Sequence, residues 1–244
     1  MTFHAYHRAM RLGNALGLMR QGEKVAATAF QTGYESVSGF REAIERLAGV
    51  AAGSASNKEP LFVTRVTTPI GPMVAGATDA GIYLLEFADR RMLETQMQRL
   101  VQRTHCVVTP GSNHHVDQLQ EELNAYFADQ LRDFAVPLEM PGTEFQRQCW
   151  TALRAIPYGE TRSYQEQASV VGRSTAVRAV GRANGDNRIA IVVPCHRVVQ
   201  SDGKLAGYGG GVWRKQWLLD HERAVVAGDK TPAATHSAVA YSSP

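Results

Sequence analysis

Residues 61–87, LFVTRVTTPIGPMVAGATDAGIYLLEF, hold β-forming side chains in three short runs, separated by Pro69-Ile70-Gly71-Pro72 and by Asp79-Ala80-Gly81. Turn residues this closely spaced leave no room for a helix and predict three antiparallel strands joined by tight turns. Two helical stretches follow, around residues 92–103 and 115–129. A small sheet covered by helices is therefore expected, an α+β lobe over residues 61–140.

At Pro141 the pattern changes. TEFQRQCWTALRAI opens with Thr143 and Gln146 at capping-box spacing and runs helically to Ile156, where Pro157-Tyr158-Gly159 stops it. Ser163 and Glu166 repeat that spacing ahead of SYQEQASVV, and Gly172 ends the second helix. Ser174 is expected to cap TAVRAVGRAN, which Gly185 closes. Two short helices about a tight turn predict a helix-turn-helix in a mostly helical lobe over residues 141–223.

Outside these lobes, residues 1–50 predict three short helices. Their turns fall at Gln21-Gly22 and Thr32-Gly33, and Val25, Ala29, Phe40 and Ile44 keep helical spacing. AAGSASNKEP, residues 51–60, is small and polar and predicts a linker. The tail, residues 224–244, is rich in Ala, Ser, Thr and Pro and predicts disorder.

At 44% hydrophobic residues the chain can build a core, yet no apolar run reaches the length of a membrane span and the N-terminus lacks the apolar centre of a signal peptide. A cytoplasmic, monomeric protein with no membrane partner is expected. Cys106, Cys149 and Cys195 show no paired spacing, which predicts free thiols in a reducing compartment. The net charge of +3 is uneven: residues 51–140 carry seven Lys/Arg against eleven acids, and residues 141–223 carry twelve against seven. A basic last third suits phosphate neutralisation, though solubility alone would also account for it. His105-Cys106 and His114-His115 match no zinc spacing, so neither a metal nor a cofactor is expected.

VVPCHRVV, residues 192–199, places Cys195 beside His196 in a run of valines. Taken alone, a cysteine in such a run reads as a buried structural residue. A thiol becomes a good nucleophile when a base takes its proton, and His196 is the adjacent base. Neighbours in an extended strand point to opposite faces, so cooperation needs a turn at Cys195 or a bridging water; Pro194 favours the turn. Glu222, in WLLDHER, is the carboxylate available to set the histidine tautomer.

IPYGETRSYQEQA, AVRAVGRANGDN, IVVPCHRVVQSDGKLAGYGGG and KQWLLDHE occur in the order and spacing of the O6-alkylguanine-DNA alkyltransferases, and the resemblance runs from about residue 61 to 223. AATAFQTGYESVSGFREAIERLAG resembles the second half of an AraC-type DNA-binding domain, with Ser36 to Leu47 in the recognition-helix position. Together these resemble an Ada-type protein without its zinc-bearing domain, since no cysteine precedes Cys106. The resemblance implies irreversible, single-use transfer of an alkyl group from O6-alkylguanine, and from O4-methylthymine, in double-stranded DNA to Cys195. Transcriptional regulation that senses alkylation is the alternative it leaves.

The same resemblance implies roles. His196 is the base acting through a water, Glu222 its orienting partner, Asn187 the residue that holds the active-site turn, and Tyr164 the proton donor to the guanine ring. Arg178 fills the gap left by the flipped base, beside Ala179 on a thin helix that also carries Ala176, Gly181, Ala183 and Arg182. Arg197, Val198, Tyr208, Gly209 and Gly210 stand on the substrate side.

Overall fold

The computed structural model describes residues 15, 18–19, 22–48 and 59–228. Most of the first expected helix, most of the linker and the tail beyond Gly228 lie outside the described residues. Helices α1 (Val25–Gln31) and α2 (Val37–Ala48) follow the sequence pattern. Gly33 turns between them with φ +78°, a region that glycine enters without steric cost. Ala29, Phe40 and Ile44 form a small core with Val107 of the neighbouring lobe.

Four strands form the main sheet: β1 (Pro60–Val66), β2 (Met73–Thr78), β3 (Gly81–Phe87) and β4 (Val107–Pro110), in the order β3-β2-β1-β4. The first three are antiparallel, with Thr64 opposite Ala75 and Ala75 opposite Leu85. β4 is an addition to the expected sheet and pairs parallel to β1. Helices α3 (Leu93–Thr104) and α4 (His114–Phe127) complete the lobe, α4 starting on an Asn113 side-chain cap.

The last lobe contains α5 (Glu144–Arg154), α6 (Tyr164–Val170), α7 (Val177–Gly185) and α8 (Val212–Ala227). Both expected capping boxes form, at Thr143/Gln146 and Ser163/Glu166. The Ser174 cap does not. The 3.0-residue turn closed by Ala176 N–H donating to Arg173 O delays the helix to Val177, with Ala176 in the cap position. Gln167 and Asn184 exchange two side-chain hydrogen bonds (3.1 and 2.6 Å) between α6 and α7, and Trp150 Nε1 donates to Ala183 O (2.9 Å). These buried polar contacts fix the angle between α6 and α7 where apolar packing alone would allow sliding. The expected tail boundary moves, because α8 continues through Val225 to Ala227 and ends on Gly228 at φ +77°.

One hydrophobic core joins both lobes: Ile82, Leu85 and Phe87 of β3, Leu119 and Leu123 of α4, Leu153 of α5, Ile189 to Val193, and Leu218 of α8. Each such side chain contributes about 1.5–3 kcal/mol on full burial. The free edge of β3 bridges to Leu138 and to Ile189, with Leu85 N–H donating to Arg188 O and Ala190 N–H donating to Leu85 O. β3 is therefore the seam of the molecule. Among the described residues no helix is long and apolar enough to cross a membrane.

Candidate active site

The valine run is not a strand at the cysteine. Pro194, at φ −81° and ψ 63°, turns the chain into a 3-10 turn over Cys195–Arg197, and only then does a two-residue strand, β6 (Val198–Val199), begin. β6 pairs parallel with β5 (Arg162–Ser163), which ends where α6 starts. That pairing delivers Tyr164, the first residue of α6, to the turn. Upstream, Ile191 is held at φ +71° although it is β-branched and buried, a conformation costing on the order of 1–3 kcal/mol.

Cys195 is the partly exposed thiol of the three; Cys106 and Cys149 are buried. Burial pushes the Cys149 thiol up to about 11, which leaves it protonated and inert. Burial also raises the Cys195 thiol, and a hydrogen bond from Asn187 Nδ2 to Sγ (3.3 Å) opposes that rise. The same Asn187 amide donates to Val193 O (2.8 Å), and its Oδ1 accepts from Ile189 N–H (3.0 Å). One side chain thus laces residues 187–195 into a fixed loop.

His196 is fully buried, with Nε2 2.9 Å from Glu222 Oε1. A carboxylate can only accept there, so the proton sits on Nε2 and Nδ1 carries the lone pair. Nδ1 has no hydrogen-bond partner among the described residues. Burial lowers the histidine's pKa against the pull of Glu222, which keeps the ring neutral near pH 7. Glu222 is itself wholly buried, which by itself would raise its pKa, yet His196 and Arg197 hold it well below the usual carboxylate range. It accepts from Tyr126 Oη (2.8 Å), Arg197 Nε and Nη2 (2.9 and 3.0 Å) and Gly159 N–H (3.1 Å) besides His196.

The sequence of residues 144–224 matches the family model of the 6-O-methylguanine DNA methyltransferase DNA binding domain. The methylated-DNA–protein-cysteine methyltransferase of Mycobacterium tuberculosis is 47% identical over 167 residues, which take in 68% of this chain and 94% of that protein. The chain belongs to this methyltransferase family. A Shigella flexneri member is 37% identical over 169 residues, covering 66% of this chain and 95% of its own length. The crystal structure of Mycobacterium tuberculosis OGT in complex with DNA superposes with a TM-score of 0.60 at 41% identity, over 71% of this chain and 97% of that one.

Arg197, expected on the substrate side, is turned into the core. It is buried, its guanidinium divided between Glu222 and Ile156 O (2.7 Å), because an ionised carboxylate inside the core needs a full countercharge. Val198 is buried beneath the site, whereas Tyr208 is half-buried, with its ring edge-on to His196 (6.5 Å between centroids). Arg178, Ala179 and Arg182 lie exposed on one face of α7. Gly181 stands against the Tyr164 ring, where an added Cβ would lie 3.8 Å from Tyr164 Cε1, an ordinary van der Waals contact. Cys195, His196, Glu222, Asn187 and Tyr164 are brought together; the arginine face of α7 borders them.

Three further side chains serve the site; only Lys215 stands in a quoted motif, KQWLLDHE, and none of the three was given a role from sequence. Tyr126 comes from α4 of the other lobe to donate to Glu222. Lys215, wholly buried on α8, donates to Val198 O (2.5 Å) and Ala206 O (3.4 Å), which ties down the chain after the cysteine. Arg214 donates to Asp89, Ile70 O and Gly210 O and stacks over Phe87 (4.2 Å), anchoring the glycine loop to the sheet lobe. Only their placement in helices was readable, since their partners lie far away in sequence.

Proposed function

We propose that the chain repairs DNA by moving a methyl or other small alkyl group from O6 of guanine to Sγ of Cys195, once per molecule. The observation that carries this reading is the hydrogen bond from the Asn187 amide to the Cys195 thiol, with the buried His196–Glu222 pair on the very next residue, in a member of a family named for methyl transfer to cysteine. The transfer is an in-line displacement, so it is helped by an anionic sulfur, a fixed approach and a stabilised leaving group. His196 Nδ1 accepts the thiol proton through a water, an S–C bond forms as the C–O6 bond breaks, and a ring nitrogen of guanine takes up a proton. Tyr164 supplies that proton, since burial keeps its phenol protonated, and is recharged from His196. The thiol proton ends on guanine and the products are a thioether and the unmodified base.

The alkyl carbon is out of reach inside a duplex, so the nucleotide rotates out; Arg178 fills the gap and offsets part of the few kcal/mol of unstacking. The structural relative bound to DNA supports DNA as the partner. No step returns the thioether to a thiol, which makes the reaction stoichiometric. Mass spectrometry after incubation with an oligonucleotide carrying O6-methylguanine should show one added methyl on Cys195. An unchanged mass overturns the proposal.

A further inference from the structure

Behind Cys195 lies an ion pair that the chemistry above does not use. Glu86, the penultimate residue of β3, is completely buried; its carboxylate accepts from Phe87 N–H and pairs with Arg90. Arg90 is only 9% exposed. Its Nη2 donates to Gly185 O (2.7 Å), the last residue of α7, and its Nη1 donates to Asn187 O (3.3 Å). One guanidinium therefore ties the end of β3 to the end of the arginine-bearing helix and to the asparagine that holds Sγ.

The same guanidinium is the seat of the glycine loop. A Cβ built on Gly209 would lie 2.5 Å from Arg90 Cζ, and one on Gly210 would overlap the Phe87 ring. Close approach without a side chain is what glycine permits. The loop thus rests on Phe87 and Arg90 from a single segment of the sheet lobe, and Arg214 bound to Asp89 closes the third side.

We infer that Arg90 is a positioning residue for alkyl transfer: it fixes the Gly185–Asn187 turn and the Gly209 loop against each other and cancels the buried Glu86 charge beside the sulfur. The inference rests on the methyl-transfer reading of the site. The groups around Sγ come from several elements: Glu86 and Arg90 from the end of β3, Lys215 from α8, Tyr164 from α6, Tyr208 from the loop, and His196. Of these Glu86, whose pKa burial raises against the pull of Arg90, opposes a thiolate when ionised, while Arg90 and Lys215 favour it. Removing Arg90 acts twice, since Asn187 loses its backbone anchor and Glu86 loses its countercharge.

Three readouts on Arg90→Met, Arg90→Lys and the double variant Glu86→Gln/Arg90→Met test this. They are the rate of transfer from an O6-methylguanine duplex at saturation, the affinity for the unmodified duplex, and the pH profile of Cys195 alkylation by iodoacetamide. Arg90→Met should slow transfer by about ten- to a hundredfold, the scale of an ångström-level misplacement, with duplex affinity unchanged. Its iodoacetamide profile should move to higher pH, and the double variant should move it back. Arg90→Lys keeps the charge without the fork, so its profile stays near the wild type while transfer remains slow. If Arg90→Met does not fold, the Arg90→Lys variant and the double variant, which removes both charges together, carry the test. Folded variants with wild-type transfer rate and wild-type pH profile overturn the inference. A wild-type protein that reacts with iodoacetamide but takes no methyl from DNA overturns the methyl-transfer reading instead.

Discussion

At the scale of the residue, Glu222 decides how the site behaves with pH and how much it costs to disturb. Its two oxygens take five donors, so the carboxylate is ionised and saturated inside the core. Glu222→Gln leaves Arg197 buried without a countercharge and sets an amide donor against one of the existing donors, so a loss of about 3–5 kcal/mol is expected in urea unfolding. Tyr126→Phe removes one donor of five and should cost about 1.5–3 kcal/mol in the same assay, without adding or removing a charge. The pH dependence has a definite sign. Glu222 has a depressed pKa in the fold, so its contribution is present above 4.5 and fades as pH falls. His196 is held neutral below its ordinary 6.5, so below that pH the unfolded chain binds the extra proton and folding weakens. Both act in one direction, and the wild-type urea midpoint should fall between pH 7 and pH 5. His196→Gln should flatten that slope; an equal slope in the variant would show that the histidine titrates freely in the fold.

At the scale of the element, the helices are placed by local chemistry and the site by pairings between elements. Both capping boxes, at Thr143 and Ser163, were legible because the four residues that make each one are neighbours in sequence. Ser174 failed as a cap for a reason invisible in sequence: Gln165 Nε2 donates to Ser174 O and the Arg173–Ala176 turn closes first. Cys195 and His196 were legible as neighbours in one short motif, whereas Asn187 was singled out by the family resemblance alone. The Arg197–Glu222 pairing was not legible, because nothing nearby in sequence shows that Glu222 is bonded by Arg197 as well as by His196. β4 was missed, its four residues being too few to show alternation. The exposed face of α7 carries a prediction of its own. Arg182→Ala should reduce the salt dependence of duplex binding by about one phosphate contact, while Arg178→Ala should also slow transfer from duplex DNA by about tenfold, since it loses help in holding the flipped state. Equal effects of the two on transfer would place both arginines on the backbone alone.

At the scale of the whole molecule, β3 does what no single motif announced. Its free edge takes Leu138 at Ile82 and Ile189 at Leu85, and its end supplies Glu86, Phe87 and, just beyond, Arg90 to the reactive loop. The lobes are therefore two in sequence and one in packing, joined by a core that runs from Ile82 to Leu218. Such a seam leaves no sequence signature, because its partners are far apart in the chain and each is an ordinary strand or loop residue. The N-terminal helices stand differently. Among the described residues their core reaches the rest of the molecule through Val107 of β4, on the opposite edge of the sheet from β3. Every side chain assigned to the chemistry lies between Glu86 and Glu222. A chain beginning at Glu59 should therefore still accept one methyl per molecule, at the wild-type rate on saturating O6-methylguanine duplex. It should unfold at lower urea, by up to about 1.5–3 kcal/mol for the exposure of a Val-sized side chain. If α1 and α2 also touch DNA, the truncated chain will bind duplex with a shallower salt dependence while its transfer rate stays the same. A fall in methyl stoichiometry would instead show that these helices hold the sheet, and through it β3, in register for the reaction.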